Sequence, residues 1–213
     1  LFFLKILLKE CFEEIRMGLK MNYKNIYKED LQELFDREIN YLKDAISNGK
    51  NLYHTFTLGT ISSNQSEIRT IVLRNIEENP LKIFFNADYR SPKVKELLEN
   101  PSCSALFYDL SRRVQLRFKA EAKIHHKDIE SEAVWQKTPL QSRKCYMGDF
   151  KPSQSLKSWD PNIPLKYLKT DPEEKDSESG FQNFSYIELT VLETDILKLY
   201  HDGHIRFKVD KKN

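Results

Sequence analysis

Residues 52–76 read LYHTFTLGTISSNQSEIRTIVLRNI, and the fold turns on how this stretch is read. Tyr53, Thr55, Thr57 and Gly59 fall on one parity and Leu52, His54, Phe56 and Leu58 on the other, which is the period of a strand. Ser62-Ser63-Asn64-Gln65 supplies turn chemistry, and residues 67–76 resume β texture, so the pair predicts a hairpin. Working outward, a third strand comes after Asn79-Pro80 with Leu81, Ile83, Phe84 and Phe85. Residues 103–109 and 112–124 predict two more strands, turned at Leu110-Ser111. Residues 184–200 and 204–209 return to the same texture. Helices are expected over 28–48, where Leu31, Leu34, Phe35, Ile39, Leu42 and Ile46 recur at helical steps, and over 92–99, opened by Ser91-Pro92. A third is expected over 127–137, with Ile129, Ala133 and Val134 inward. Six or more short strands joined by tight turns predict a mainly β protein, a closed or nearly closed antiparallel barrel with a few peripheral helices.

Residues 151–183 break this pattern. They carry Pro152, Pro161, Pro164 and Pro172 and the polar stretch Asp171–Ser179, and are expected to form a long loop, mobile around 171–180. The segment after residue 183 is too short to fold alone, so residues 21–213 are expected to form one domain. Residues 1–20 are expected to add little. Leu1–Leu8 are apolar apart from Lys5, too few to span a bilayer, and neither a basic leader nor a small-residue cleavage site accompanies them. Met17 and Met21 are the candidate starts of translation.

Composition excludes several functions. Lys and Arg total 34 against 32 Asp and Glu, so no global field recruits nucleic acid or an anionic membrane. The six glycines stand at least ten residues apart, which rules out both a GxGxxG turn and a P-loop. A phosphate ligand must therefore be held by side chains. Cys11, Cys103 and Cys145 form neither a disulfide framework nor a zinc motif, which points to the cytoplasm, with Cys103 packed as a small hydrophobe. His201-Asp202-Gly203-His204 is an incomplete ligand set, and no metal is expected. His125-His126 is expected to lie exposed at a strand-to-helix junction, and Arg112-Arg113 to be a solvated pair at a turn.

The chemistry concentrates between Arg69 and Gln115. Arg69 lies in strand texture among apolar neighbours, where a charge needs an anionic partner: a ligand, or else Glu67 or Asp88. Ser91 and Lys93 sit at a helix N-terminus, which favours an anion, and a lysine in a first turn otherwise opposes the helix dipole. Gln115 is expected to be an amide with donors and acceptors buried among Val114 and Leu116. Together these suit a planar heteroaromatic ligand carrying a phosphate.

Three segments in order, Arg69-Thr70-Ile71-Val72-Leu73-Arg74, then Phe84-Phe85-Asn86-x-Asp88-x-Arg90-Ser91-x-Lys93, then Arg113-Val114-Gln115, resemble the pyridoxamine 5′-phosphate oxidase-like flavoproteins. The resemblance runs from about Thr57 to Ala122 and includes Glu99-Asn100-Pro101. It implies an FMN-binding split β-barrel and a homodimer with FMN at the interface. It further implies that Arg69 and Lys93 hold the FMN phosphate, that Gln115 faces the isoalloxazine, and that Thr70, Ile71, Val72, Leu73, Arg74, Phe85, Asn86 and Ser91 line the cofactor. Ser153, Gln154 and Ser155 resemble a segment that reaches FMN from the other subunit, and Arg206 falls where the family has a flavin-contacting arginine.

The substrate half departs from that pattern. Where pyridoxamine-phosphate oxidases use Tyr, Arg and Ser to hold the substrate phosphate, this chain has Trp135, Pro139 and Arg143. The family's flavin-side tryptophan is absent, with Leu199 or Tyr200 near its place. The resemblance therefore implies an FMN-dependent oxidoreductase transferring hydride through the flavin to or from an unknown small molecule. Authentic pyridoxamine 5′-phosphate oxidase and a non-catalytic flavin-binding or stress-response protein are the alternatives.

Overall fold

The structure is a computed structural model that describes residues 30–210. The expectations for residues 1–20 and for the translation start lie outside the described residues.

Helix α1 (Leu31–Ser47) begins where Asp30 accepts the Gln32 N–H at 2.7 Å, and it buries Leu34, Ile39, Leu42 and Ala45. Eight strands come next: β1 (Thr55–Ser62), β2 (Gln65–Val72), β3 (Asn75–Glu78), β4 (Leu81–Asp88), β5 (Ser102–Asp109), β6 (Val114–His125), β7 (Phe184–Lys198) and β8 (Ile205–Asp210). Helix α2 (Pro92–Glu99) joins β4 to β5, and α3 (Ile129–Lys137) comes after β6. All pairings are antiparallel, in the order β2-β1-β5-β6-β7-β4-β3, with β8 added to β7.

The single strand expected over 67–76 is in fact two. At Leu73 and Arg74 the backbone changes neighbours: the Leu73 N–H donates to His54 O and the Arg74 N–H to Phe84 O. This step carries the chain from β1 to β4, on opposite sides of the sheet path, and curls the sheet into a barrel. The inward residues of β5 and β6 alternate with outward ones, and Phe56, Phe85, Phe107 and Phe118 meet in the centre. Cys103 belongs to this core, and burial pushes its thiol up to about 12.

Four local expectations need correction. In α3, Ile129 is 83% exposed and Ala133 is also exposed, whereas Ser131 and Trp135 face inward. The cause is the capping box: Asp128 accepts the Ser131 N–H and Ser131 Oγ accepts the Asp128 N–H, which fixes the helix phase. His125 is buried against Asp128 at 2.8 Å, and His126 stacks on Tyr89. Arg112 is not solvated, since it bonds Asp109 and the buried Glu38 and lies over the Tyr41 and Tyr53 rings. Stretch 171–180 is tied down: Arg143 binds Ser177 and Glu178, Lys144 binds Asp171, Tyr167 binds Asp176, and Pro172, Ser177 and Gly180 are buried.

Candidate functional site

The start of α2 holds one of the three buried side-chain polar atoms that lack a partner among the described residues. The β4–α2 turn is built by Asp88, which accepts the Arg90 N–H at 2.8 Å and grips its guanidinium through both carboxylate oxygens. Ser91 occupies the N-cap position with an extended backbone, yet its side chain makes no capping bond. Its Oγ is buried and has no partner. A serine that neither caps nor meets solvent leaves a hydroxyl whose desolvation nothing offsets.

Lys93, in the first turn, stands beside Arg69 of β2. Burial, and then the Arg69 charge, hold its ammonium below the usual lysine range. Arg69 sits on the inward parity of β2, past the edge of the apolar core. Its Nη2 donates to Glu96 Oε2 at 2.7 Å, and its Nη1 bonds Thr60, whose hydroxyl also donates to Glu96. The partner of Arg69 within the chain is thus Glu96 of α2, not the carboxylate of Glu67 or Asp88. Glu96 is bonded to Arg69 and Asp88 to Arg90, which leaves Lys93 as the uncompensated cation, so the group keeps a net positive charge next to an unpaired hydroxyl. That fits a phosphate.

A cleft of about 350 Å3 opens beside β4, lined by Arg74, Asn75, Asn86 and Tyr186 on one side and by α3 and the turn after it on the other. Asn86 Oδ1 is buried without a partner. Phe85, next in sequence, points the other way and is fully buried in the core, as are Leu73 and most of Ile71. Those three reach a ligand only through their backbone. Thr70 is exposed and Val72 half-buried on the opposite parity.

Gln115 is not buried as expected: strand alternation turns it away from Val114 and Leu116 to the outer face of β6, half-buried. There it lies opposite Tyr108 of β5 and Leu197 of β7, and Leu197 in turn faces Arg206 of β8. Gln115 and Arg206 therefore share one row of the sheet. Arg206 grips Asp195 at 3.0 and 2.7 Å, and Arg117 joins the same carboxylate at 2.6 Å. Ser153, Gln154 and Ser155 are exposed on a loop whose base is closed by Asn162, bonded both ways to the Phe150 backbone. In one chain these outer groups do not meet the Arg69, Ser91 and Lys93 cluster through any hydrogen bond among the described residues.

Sequence reasoning missed Glu96, an acidic residue on a short helix with no motif to mark it. It also missed Arg90, whose guanidinium reaches the Gly148 and Asp149 carbonyls and ties loop 148–162 to the site turn. The pattern Asp88-x-Arg90 just before Ser91 was the available signal. His125, Asp128 and Glu130 bring ligand-type atoms within 4.8 Å of one another, but Asp128 is committed to capping α3.

Trp135 and Arg143 prove to be interior. Trp135 is fully buried among Tyr146, Phe181 and Phe184, and its indole N–H faces Glu178 at 3.2 Å. Arg143 is also buried and spends its donors on Thr138 O, Gln136 O, Ser177 and Glu178. Neither remains for a substrate.

Residues 37–126 match the family model described as "Pyridoxamine 5'-phosphate oxidase, FMN-binding domain". This match covers less than half of the chain, and over that stretch the chain is similar to the family's FMN-binding domain. The pyridoxine/pyridoxamine 5′-phosphate oxidase of Psychrobacter sp. (strain PRwf-1) is 31% identical over 115 residues, covering 53% of this chain and 51% of the relative. That of Burkholderia thailandensis is 29% identical over 106 residues, 48% and 47% of the two chains. The chain thus spans about half the length of the curated relatives it matches. Among solved structures, a pyridoxamine 5′-phosphate oxidase-related, FMN binding protein from Nostoc punctiforme PCC 73102 superposes with a TM-score of 0.63 at 19% identity, covering 84% of this chain and 90% of the other. PhzG from Burkholderia lata 383 gives 0.61 at 15% identity, covering 84% and 86%. At these identities the structural matches establish the split-barrel fold. No described helix is long and apolar enough to cross a membrane.

Proposed function

We propose that this chain binds FMN at the start of α2, does so as a homodimer, and works as an FMN-dependent oxidoreductase on a small molecule. The observation that carries the reading is the buried, unpartnered Ser91 hydroxyl beside a lysine whose charge is disfavoured by burial and by Arg69. Bound phosphate gives the hydroxyl an acceptor and gives both cations a counterion. Bound FMN supplies hydride transfer at its N5 atom. The chain's own part is to hold the phosphate with Arg69, Ser91 and Lys93 and to offer the Gln115 amide to the ring.

The case for a dimer rests on the outer sheet face. Ile68 is 73% exposed there, and Leu106, Tyr108 and Leu192 are exposed with it. A second copy laid on this face covers those side chains and brings its own Arg206 and residues 153–155 toward the site. An isologous contact produces two equivalent sites.

The test is to titrate the purified chain with FMN and to measure its mass by light scattering. One FMN per subunit in a dimer supports the reading. A colourless preparation that takes up no FMN, or a monomer saturated with it, overturns it. Authentic pyridoxamine 5′-phosphate oxidation is disfavoured, because Pro139 offers neither charge nor N–H and Arg143 is already committed. A non-catalytic flavin binder shares the phosphate site, and turnover of a substrate by the FMN-loaded protein separates it from an enzyme.

A further inference from the structure

The cleft beside Asn86 has walls of unequal chemistry. Arg74 and Lys137 bring positive charge, and no Asp or Glu lines it. Neither cation forms an ion pair among the described residues. Asn75, Thr138 and Ser142 add small polar groups, while Val134, Pro139, Tyr146 and Tyr186 present apolar or aromatic surface. Tyr186 is held flat by stacking on Phe84 at 5.1 Å, and burial pushes its phenol up to about 12. Burial likewise raises the Tyr146 phenol. Both rings therefore stay neutral and add no negative charge to the cleft.

We infer that this cleft takes the substrate, and that the substrate is a small, flat, singly charged carboxylate whose anionic end lies between Lys137 and Arg74 and whose N–H or O–H group meets Asn86 Oδ1. The inference deepens the proposed function by naming a substrate class, and it rests on that reading for the neighbouring flavin. Size sets the first limit. A cavity of about 350 Å3 stands at the lower end of small-molecule sites. Charge sets the second. Val134 and Lys137 belong to the C-terminal end of α3 and Thr138 caps it, and the helix dipole there opposes anions. Lys137 offsets that field for one negative charge, but no buried guanidinium is left to hold a second. Arg143, nearest in sequence, is saturated by Glu178, Ser177 and two backbone carbonyls. Pro139 contributes no donor. The unpartnered Asn86 oxygen sets the third requirement: an occupant that leaves it unmatched carries a desolvation penalty.

The experiment is calorimetric titration of the purified protein with benzoate and, separately, with phenyl phosphate, with FMN content read from absorbance in each sample. Wild type is expected to bind benzoate saturably and at least as tightly as phenyl phosphate. Lys137→Ala is expected to weaken benzoate binding about tenfold with FMN content unchanged, and Lys137→Arg to retain it. Lys137 is exposed at a helix end, so the substitution leaves the core intact. Absence of benzoate binding by wild type, undiminished binding by Lys137→Ala, or a clear preference for phenyl phosphate overturns the inference. Benzoate binding by protein that takes up no FMN would instead sink the flavin reading and leave the carboxylate cleft standing.

Discussion

Arg143 and Lys93 are both cations withdrawn from water, and the chain treats them in opposite ways. Around Arg143 every nitrogen of the guanidinium has an acceptor: Nε meets Thr138 O, Nη1 meets Ser177 and Glu178, and Nη2 meets Gln136 O. Its guanidinium carbon also lies 4.9 Å from the Trp135 ring centre. Around Lys93 no hydrogen bond or ion pair forms among the described residues: the nearby carboxylates Glu96 and Asp88 are bonded to Arg69 and Arg90, and burial and the Arg69 charge outweigh their attraction. Burial and charge are common to both regions. What separates a structural knot from a ligand site is whether the polar groups are satisfied without a ligand.

The largest effect is expected where satisfaction is complete. Arg143→Met leaves the Thr138 and Gln136 carbonyls without their donor, leaves Glu178 only the Trp135 N–H, and loosens the packing against Trp135. It should cost about 2–4 kcal/mol of stability in denaturant titration, from the two carbonyls left unpaired. FMN affinity per folded molecule should stay the same. A stable variant that has lost FMN binding would erase the distinction between the two regions.

At the other pole, Lys93→Ala should lower FMN affinity about ten- to hundredfold while leaving stability unchanged or slightly raised. The sign follows from its depressed ionisation. A lysine whose folded value is lowered destabilises the fold while charged, and that penalty fades as pH rises from the folded value through the ordinary lysine range. Arg69→Ala should lower affinity by a similar factor but should also destabilise the fold, because Glu96 then stays buried and unpaired. Equal stability losses in the two variants, read by thermal unfolding without FMN, would show that Lys93 is structural too.

Much of this contrast is legible in the chain, and the exceptions have physical causes. Runs of β texture locate the strands because each buries at least one face, and Ser91-Pro92 marks α2 because its chemistry is local. Arg69 and Lys93 meet as expected, with Ser91 beside them, since one hairpin and one turn bring them together. The sequence places Arg143 at a substrate position and does not reveal its partners, Ser177 and Glu178, because they lie across a proline-rich stretch with no period to follow. Arg112 reads as solvated because its partner Glu38 sits on α1, far back in the sequence. Hydrophobicity alone places Ile129 inward, whereas the Asp128–Ser131 capping box sets the helix phase against it. Long-range pairing of charges is what a single sequence hides.

Asp195 lies between the two poles: a buried carboxylate satisfied by two arginines that are themselves half exposed. Hydrogen bonds from Arg206 first, and then from Arg117 against the opposing effect of burial, hold it down to about 2. A depressed carboxylate stabilises the fold above its ordinary value and loses that stabilisation as pH falls through the folded one. Between about pH 4 and pH 2 the protein should therefore shed roughly 1–2 kcal/mol from this group, after allowance for solvent screening. Asp195→Asn should flatten that part of the acid-unfolding curve. An unchanged slope would show that the arginine pairs on the outer face are too well solvated to matter.

The smallest stability change is expected at Ser91, and it is the sharpest test of the comparison. An N-cap serine replaced by alanine ordinarily costs about 1 kcal/mol, because an orphan N–H of the first turn loses its acceptor. Here the hydroxyl makes no such bond, so there is no capping energy to lose. Alanine also removes a buried, unpartnered oxygen, which by itself favours the fold. Ser91→Ala should thus leave the unfolding midpoint of the FMN-free protein unchanged or slightly higher. The same substitution should weaken FMN several-fold, since a hydroxyl-to-phosphate bond is worth more than a neutral one. On one sample, affinity must fall while stability does not. A drop in stability without FMN would mean that Ser91 caps α2 in solution, and the case for an anion site at that turn would then rest on Arg69 and Lys93 alone.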